Sequence, residues 1–209
     1  MKRFLGLTAA ILVVTLAVAG PPLALPKHLL DAAASLKKPA ATALMLGDLR
    51  VSLENTTLSD VVRAAPSASI VASGAGGERI FWVCFTDLEP HGASRLWVIS
   101  SAEMGGPTQE ITEVAALQLE RPTATPDCPT LPKAFKPVSL DRRFWLGSSH
   151  HDLGRDMGAS HNIGGWEAHR YSVKVAGSCD GGFDVTNWIA TKAEGAHLIA
   201  IYAGQNTSC

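Results

Sequence analysis

The chain has 209 residues with a formal net charge of −1, and 46% of its residues are hydrophobic while 18% are charged. This balance argues against a nucleic-acid-binding protein, which needs a basic patch or stripe. A chain of this length buries about 70% of its unfolded surface, so it holds a real core in one large or two small domains.

Residues 1–19 have the layout of a secretory signal peptide. Lys2 and Arg3 form a short positive region, the segment from Phe4 to Ala19 carries no charge, and Ala17-Val18-Ala19 suits a signal peptidase. We therefore expect a mature chain that is periplasmic or secreted. We expect no membrane span in it, since no later segment approaches the roughly 18 apolar residues of a span. The alternative is an uncleaved single-span anchor.

Residues 20–45 are expected to form a leader segment. The prolines at its start oppose regular structure, whereas the apolar residues that follow recur at helical spacing and predict one short helix. These are Pro21, Pro22 and Pro26, and then Leu29, Leu30, Ala33 and Leu36.

Residues 46–120 are predicted to form a first module. Thr57 with Asp60 three residues later is typical of a helix N-terminus, and Pro66 ends that helix. Three apolar runs of strand length then follow, bounded by turn residues. They are Ile80 to Phe85, Arg95 to Ile99 and Ile111 to Leu119.

Residues 121–137 contain five prolines and Cys128, and a proline-dense stretch cannot continue a sheet. They are predicted to be a linker that Cys128 pins to the first module. Residues 138–209 then predict a second module with a helix near His150 to Met157, capped by Gly158. Its strands are Glu167 to Val175, Phe183 to Thr191 and Leu198 to Tyr202. The expected fold class is α+β, with two tandem modules that each pack a short helix on a three- to four-stranded antiparallel sheet.

The four cysteines all follow the signal peptide, and an even number in an oxidising compartment predicts two disulfides. Three pairings are possible. The local one joins Cys84 to Cys128 and Cys179 to Cys209, and it keeps each bridge within one half of the chain. A metal site is the alternative, but the cysteines show no C-x-x-C spacing.

One helix signature resembles a known family. Leu146-Gly147-Ser148-Ser149, then Asp152-Leu153 and Met157-Gly158, is similar to the helix that opens the modules of beta-lactamase-inhibitor-protein-like proteins and SmpA/OmlA-type lipoproteins. The first half matches more loosely, at residues 56–61. The sequence departs from the family at Ala65, where a glycine is expected, and at Ala159, where a proline often follows. The resemblance implies two tandem modules with one disulfide each, and it says little about the partner.

A mixed aromatic and charged surface is the predicted binding site. If Phe183 and Ile189 face the core under the helix near residue 150, then Trp188 faces solvent, where it suits an interface anchor. A second layer covering that face is the alternative. The candidate binding residues are Trp188, Arg170, Lys174, Asp184, Lys192 and Trp166.

A second hypothesis places a metal near the adjacent residues His150, His151 and Asp152. One imidazole and the carboxylate would bind zinc, with His161 or His169 as third ligand. Adjacent histidines on a helix point about 100° apart, which disfavours both binding one ion. The simpler interpretation is an exposed first helical turn.

The function expected from these patterns is an exported protein-binding module of unknown partner, which the resemblance would make inhibitor-like. It needs no cofactor and is not expected to bind nucleic acid. The alternatives are a periplasmic metal-assisted enzyme that uses the His150 region and a structural envelope factor.

Overall fold

The computed structural model describes residues 22–89, 93–121, 123–177 and 179–209, so the predicted signal peptide lies outside the described residues. Strands dominate the described chain. Its two α-helices are α1 (Leu58–Ala64) and α2 (His150–Met157), and short 3-10 helices span Gly76–Glu78 and Lys133–Phe135. The strands are β1 (Ala34–Ser35), β2 (Ala43–Leu46), β3 (Leu49–Ser52), β4 (Val71–Ser73), β5 (Ile80–Asp87), β6 (Ser94–Ser101), β7 (Glu113–Gln118), β8 (Val138–Leu140), β9 (Asn162–Ile163), β10 (Trp166–Val175), β11 (Phe183–Glu194) and β12 (His197–Ser208).

Nine strands form one continuous sheet in the order β1-β10-β11-β12-β7-β6-β5-β4, with β9 on the end of β10. The pairs are antiparallel except for β1, which lies parallel to β10. The predicted fold class of two tandem helix-on-sheet modules is therefore wrong. Strand β7 from the first half pairs directly with β12 from the second, from Glu113 opposite Gly204 to Leu117 opposite Ala200. Because backbone hydrogen bonds cross this junction, the two halves share a single sheet.

A separate three-stranded sheet, in the order β3-β2-β8, packs with both helices against one face of the large sheet. Residues on this inner face form the main core, where Leu44 of β2, Val61 of α1 and Leu153 of α2 meet Val98 and Ile189 of the large sheet. Strand β2 pairs through Leu44 with Leu140 of β8, so the small sheet also draws from both halves of the chain. The main core thus draws on both halves of the described chain.

The two predicted helices are present where the sequence placed them. At the start of α1, the Thr57 hydroxyl accepts from the Asp60 amide, and the Asp60 carboxylate accepts from the Thr57 amide at 3.0 Å. These hydrogen bonds from Thr57 lower the pKa of Asp60. Helix α2 begins after Ser149, whose hydroxyl accepts from the Asp152 amide, and ends at Gly158, which has a φ of 85°.

The leader adopts turns in place of the predicted helix. The amides of Leu29, Ala32 and Ala33 donate to carbonyls three or four residues earlier, after which the chain joins the sheet edge as β1. Tertiary packing overrides the helical spacing here, because Leu29 is buried against Trp166 and other residues of the outer face of the large sheet.

Candidate functional site

Two disulfides are present, and they join Cys84 to Cys128 and Cys179 to Cys209, the local pairing. The first lies in the core and fastens residues 128–131 alongside β5, where the Thr86 amide donates to the Pro129 carbonyl. The second ties the loop between β10 and β11 to the end of β12, with Cα atoms 5.4 Å apart. Both bridges suit a protein of an oxidising compartment.

The predicted exposure of Trp188 is wrong. Its side chain is only 8% exposed, although it does lie on the sheet face opposite Ile189. The indole stacks on Tyr202 and extends over Gly204 of β12. The outer face of the sheet is therefore a second packed layer. Directly paired positions place four of the five tryptophans on it, namely Trp82, Trp97, Trp166 and Trp188.

Trp166 is likewise buried, at 6% exposure, and cannot serve as an exposed anchor. It packs in a cluster with Leu29 of the leader and Ala190 of β11. Lys192 is directly opposite Trp166 across the strands and is half-buried, with its side chain lying against the turn at Gly165. Trp166 is therefore part of the packed outer layer, and Lys192 lies beside it.

The remaining binding candidates share one face of the β10–β11 hairpin, with Arg170 in the middle of β10 and Lys174 and Asp184 near the connecting loop. Arg170 is opposite Trp188, and Lys174 is opposite Asp184 with a distance of 3.9 Å between the ammonium and the carboxylate. All three charged side chains are exposed. The predicted polar strip is thus real, but it lacks its aromatic anchor.

The same end of β10 has an open edge. Strands β9 and β1 cover this edge only up to Arg170, so residues 171–175 pair with β11 alone in the described chain. The Leu36 amide donates to the Arg170 carbonyl at 2.8 Å, which shows that the backbone of Arg170 points away from β11. Because strand backbone groups alternate in direction, the amides and carbonyls of Ser172 and Lys174 also point outward.

Two exposed apolar side chains that were not among the predicted site residues accompany this edge. Val173 is 36% exposed and Val175 is 45% exposed. They lie opposite Val185 and Phe183, on the face away from Lys174. Both valines are exposed although their cross-strand partners lie on the same face of β11 as the buried Ile189.

The structure does not bring the predicted metal ligands together around one position. Among the described residues, no group of three or more His, Cys, Asp or Glu side chains is arranged to hold an ion. His151 and Asp152 are exposed on the first turn of α2, and Asp152 pairs with Arg155 at 2.8 Å. His161 is exposed, whereas His169 is buried and its Nε2 lies 3.1 Å from the Gly158 carbonyl. His150, Asp152 and His161 therefore do not form the expected three-ligand site.

His150 belongs instead to a hydrogen-bonded group in a cleft of about 630 Å³ beside α2. Its Nε2 lies 3.2 Å from Oε2 of Glu167, and the Ser160 hydroxyl donates to the same oxygen at 3.2 Å. Glu167 and Ser160 were not predicted as site residues, since Glu167 lies 17 positions after His150 and 7 positions after Ser160 in the sequence. Only the packing of α2 on β10 brings them together.

A half-buried acid lies on the outer face of the sheet. The Tyr202 hydroxyl donates to Oε2 of Glu113 at 2.5 Å. Burial raises the pKa of Glu113, and burial together with the neighbouring carboxylate raises the pKa of Tyr202. The indole nitrogens of Trp82 and Trp97, on the same face, are buried without a hydrogen-bond partner.

The geometry defines a mostly-β protein built on one nine-stranded sheet. A disulfide restrains the end of the sheet that has the free edge, and a polar cleft lies beside the second helix. No protein-family model, curated protein or solved structure matches the chain. Within the described residues, no helix is long and apolar enough to cross a membrane.

Proposed function

We propose that this protein is an exported protein-binding module that holds an extended segment of its partner against the open edge of β10. The observation that carries the proposal is the pair of outward-facing residues Ser172 and Lys174, whose backbone groups have no strand beside them among the described residues. An added strand would satisfy two amides and two carbonyls, which is the basis of recognition by β-strand addition.

The side chains around the edge specify the chemistry of the partner segment. Arg170 and Lys174 project from one face of β10, and the apolar Val173 and Val175 project from the other. Since cross-strand neighbours interact, a segment that alternates acidic and apolar residues fits both faces. Lys174 is only loosely paired with Asp184, at 3.9 Å between exposed groups, so its charge stays available to an acidic partner.

A second copy of this chain fits the edge less well. An antiparallel copy centred on Ser172 would place the basic side chains at positions 170 and 174 opposite each other, and like charges directly opposite are destabilising. Lysine on an open strand is also a common protection against edge-to-edge self-association. Charge therefore favours an acidic segment of another protein.

The disulfide at this end of the sheet supports a binding role. The bridge from Cys179 to Cys209 ties together the ends of β10, β11 and β12 where few core residues reach. Restraining the edge before the partner arrives lowers the entropy cost of binding.

The test uses two synthetic peptides, one that alternates Glu with Val and one that alternates Lys with Val. We expect the acidic peptide to bind with the stronger affinity and to protect the amides of Ser172 and Lys174 from hydrogen exchange. Ser172→Pro removes one outward amide without breaking the ladder to β11, and it should weaken binding at least tenfold. Ser172→Thr keeps the amide and is the matched control.

Charge reversal supplies the second arm of the test. The double variant Arg170→Glu, Lys174→Glu should prefer the basic peptide over the acidic one. Equal binding of the acidic peptide by the wild-type protein and Ser172→Pro would refute the edge as the contact surface. Unchanged peptide preference after charge reversal would refute the assigned partner chemistry.

A further inference from the structure

The cleft beside α2 carries an inference that is independent of the sheet edge. We infer that it is a binding site for a guanidinium or primary ammonium group. Its lining has five polar residues, namely His150, His151, Arg155, Ser160 and Glu167, and five residues that are glycine or alanine. Much of its wall is therefore backbone.

The polar side chains converge on one carboxylate. His150 and Ser160 both donate to Oε2 of Glu167, at 3.2 Å each, and no described residue donates to Oε1. The Glu167 side chain is 26% exposed and lines the cleft. Two donors on one oxygen hold the carboxylate in a single orientation, as a preorganised acceptor requires.

The Glu167 carboxylate favours a cationic ligand, since it is the one acidic side chain among the described lining residues. Arg155 also lines the cleft, but its guanidinium pairs with Asp152 at 2.8 Å. Glu167 has only the imidazole and the hydroxyl beside it. A guanidinium or ammonium ligand would supply the opposite charge together with donors for Oε1, and charge-assisted hydrogen bonds of this kind are the strong ones.

Gly154 is the second observation. Glycine is the least favourable residue after proline in a helix interior, and Gly154 lies in the middle of the eight-residue α2. Packing does not require it, since a Cβ built there meets no atom within 4 Å. Residues four apart share one helix face, so Gly154 lies one turn from His150. A side chain at position 154 would project beside the imidazole and narrow the cleft.

The probe is agmatine, a small molecule with one guanidinium and one ammonium group, titrated into the full disulfide-bonded protein by NMR. We expect saturable shifts of the amides of Gly154, Gly158 and Gly195. Glu167→Gln should weaken agmatine binding at least tenfold. Gly154→Leu should do the same while the protein resists urea as well as the wild type or better, because leucine is a strong helix former.

Asp156→Asn is the matched control, since Asp156 lies on the same helix but outside this cleft. It should leave agmatine affinity within a factor of two. A short peptide with a central arginine separates the two sources of the cation. Binding of the peptide at least as tight as that of agmatine would identify a protein side chain as the ligand, and binding of agmatine alone would identify a small molecule. The inference fails if agmatine shifts no cleft amide, or if Glu167→Gln binds it as the wild type does.

Discussion

The indole of Trp188 stacks on the phenol ring of Tyr202, with ring centroids 5.2 Å apart and planes inclined by 29°. The same indole covers Gly204, where an added Cβ would come within 2.5 Å of it. The ring fills the space that a side chain at position 204 would otherwise occupy. Trp188 is therefore a structural residue of the outer face.

Trp188→Ala should lower the free energy of unfolding by about 3 kcal/mol or more, because a large buried ring is removed. Equilibrium unfolding in urea measures this directly. Arg170→Ala is the control, since Arg170 is directly opposite Trp188 but exposed, and it should change stability by less than about 0.5 kcal/mol. An unchanged stability of Trp188→Ala would contradict its assignment to the packed layer.

The buried carboxyl of Glu113 predicts a pH dependence. Burial raises its pKa, so its contribution to stability is fully present below the ordinary value of 4.5 and is lost as the pH rises through its folded value. Glu113→Gln stays neutral at every pH. The stability of this variant relative to the wild type should therefore increase from pH 4 to pH 8, as measured by urea unfolding at each pH.

A change at an exposed acid should show no such trend. Glu120 is exposed, so Glu120→Gln should keep a constant stability difference from the wild type over the same pH range. If Glu113→Gln instead loses relative stability as the pH rises, the folded protein favours the ionised carboxylate and the assigned direction of the pKa is wrong.

Asn187 fastens the leader to the large sheet. Its Oδ1 accepts from the Ala40 amide at 2.8 Å and the Ala41 amide at 3.3 Å, and its Nδ2 donates to the Ala41 carbonyl at 2.6 Å. Asn187→Leu would leave these backbone groups buried and unpaired, at a cost of about 1–3 kcal/mol each. We expect a loss of at least about 3 kcal/mol in the free energy of unfolding.

Asn206 offers a comparison for Asn187, because its buried Oδ1 has no partner. Asn206→Ala should thus cost clearly less than Asn187→Leu in the same urea measurement. Equal losses in the free energy of unfolding would show that the hydrogen bonds of Asn187 to the leader do not stabilise the protein more than an unpaired asparagine does.

The disulfide between Cys179 and Cys209 closes a separation of 30 residues, and the chain-entropy model assigns such a loop about 4 kcal/mol. Replacing both cysteines with serine should lower stability by up to that amount. It should also speed hydrogen exchange at residues 171–175 and 205–208. Replacing Cys84 and Cys128 with serine should lower the free energy of unfolding by at least as much but leave hydrogen exchange at the sheet edge unchanged. If both pairs of replacements speed exchange there equally, the bridge between Cys179 and Cys209 does not restrain the edge locally.

Local sequence signals predicted the local structure well. Thr57 with Asp60 marks the start of α1, and Ser149 and Gly158 mark the start and the end of α2. Such signals are local because capping involves only residues within one turn. The disulfide pairing was favoured by proximity within each half of the chain. The alternation along β10 and β11 also placed Arg170 and Lys174 of β10 on one face with Asp184 of β11, since side-chain direction alternates along any strand.

The sheet junction and the covering of its faces depended on tertiary structure. Nothing local to β7 or β12 specifies that they pair with each other, since their paired residues are more than 80 positions apart and each strand could equally form an edge. This one pairing converts two expected modules into a single sheet. It also decides which residues lie at a free edge.

Trp188 shows the same limit for a single side chain. Alternation determines that it lies opposite Ile189, but whether that face meets solvent depends on Tyr202, on Gly204 and on the leader that packs nearby. Glu167, Ser160 and Gly154 likewise become a cleft only when α2 packs on β10. Hydrophobic burial is a property of the assembled surfaces, so residues distant in sequence decide what each local pattern becomes.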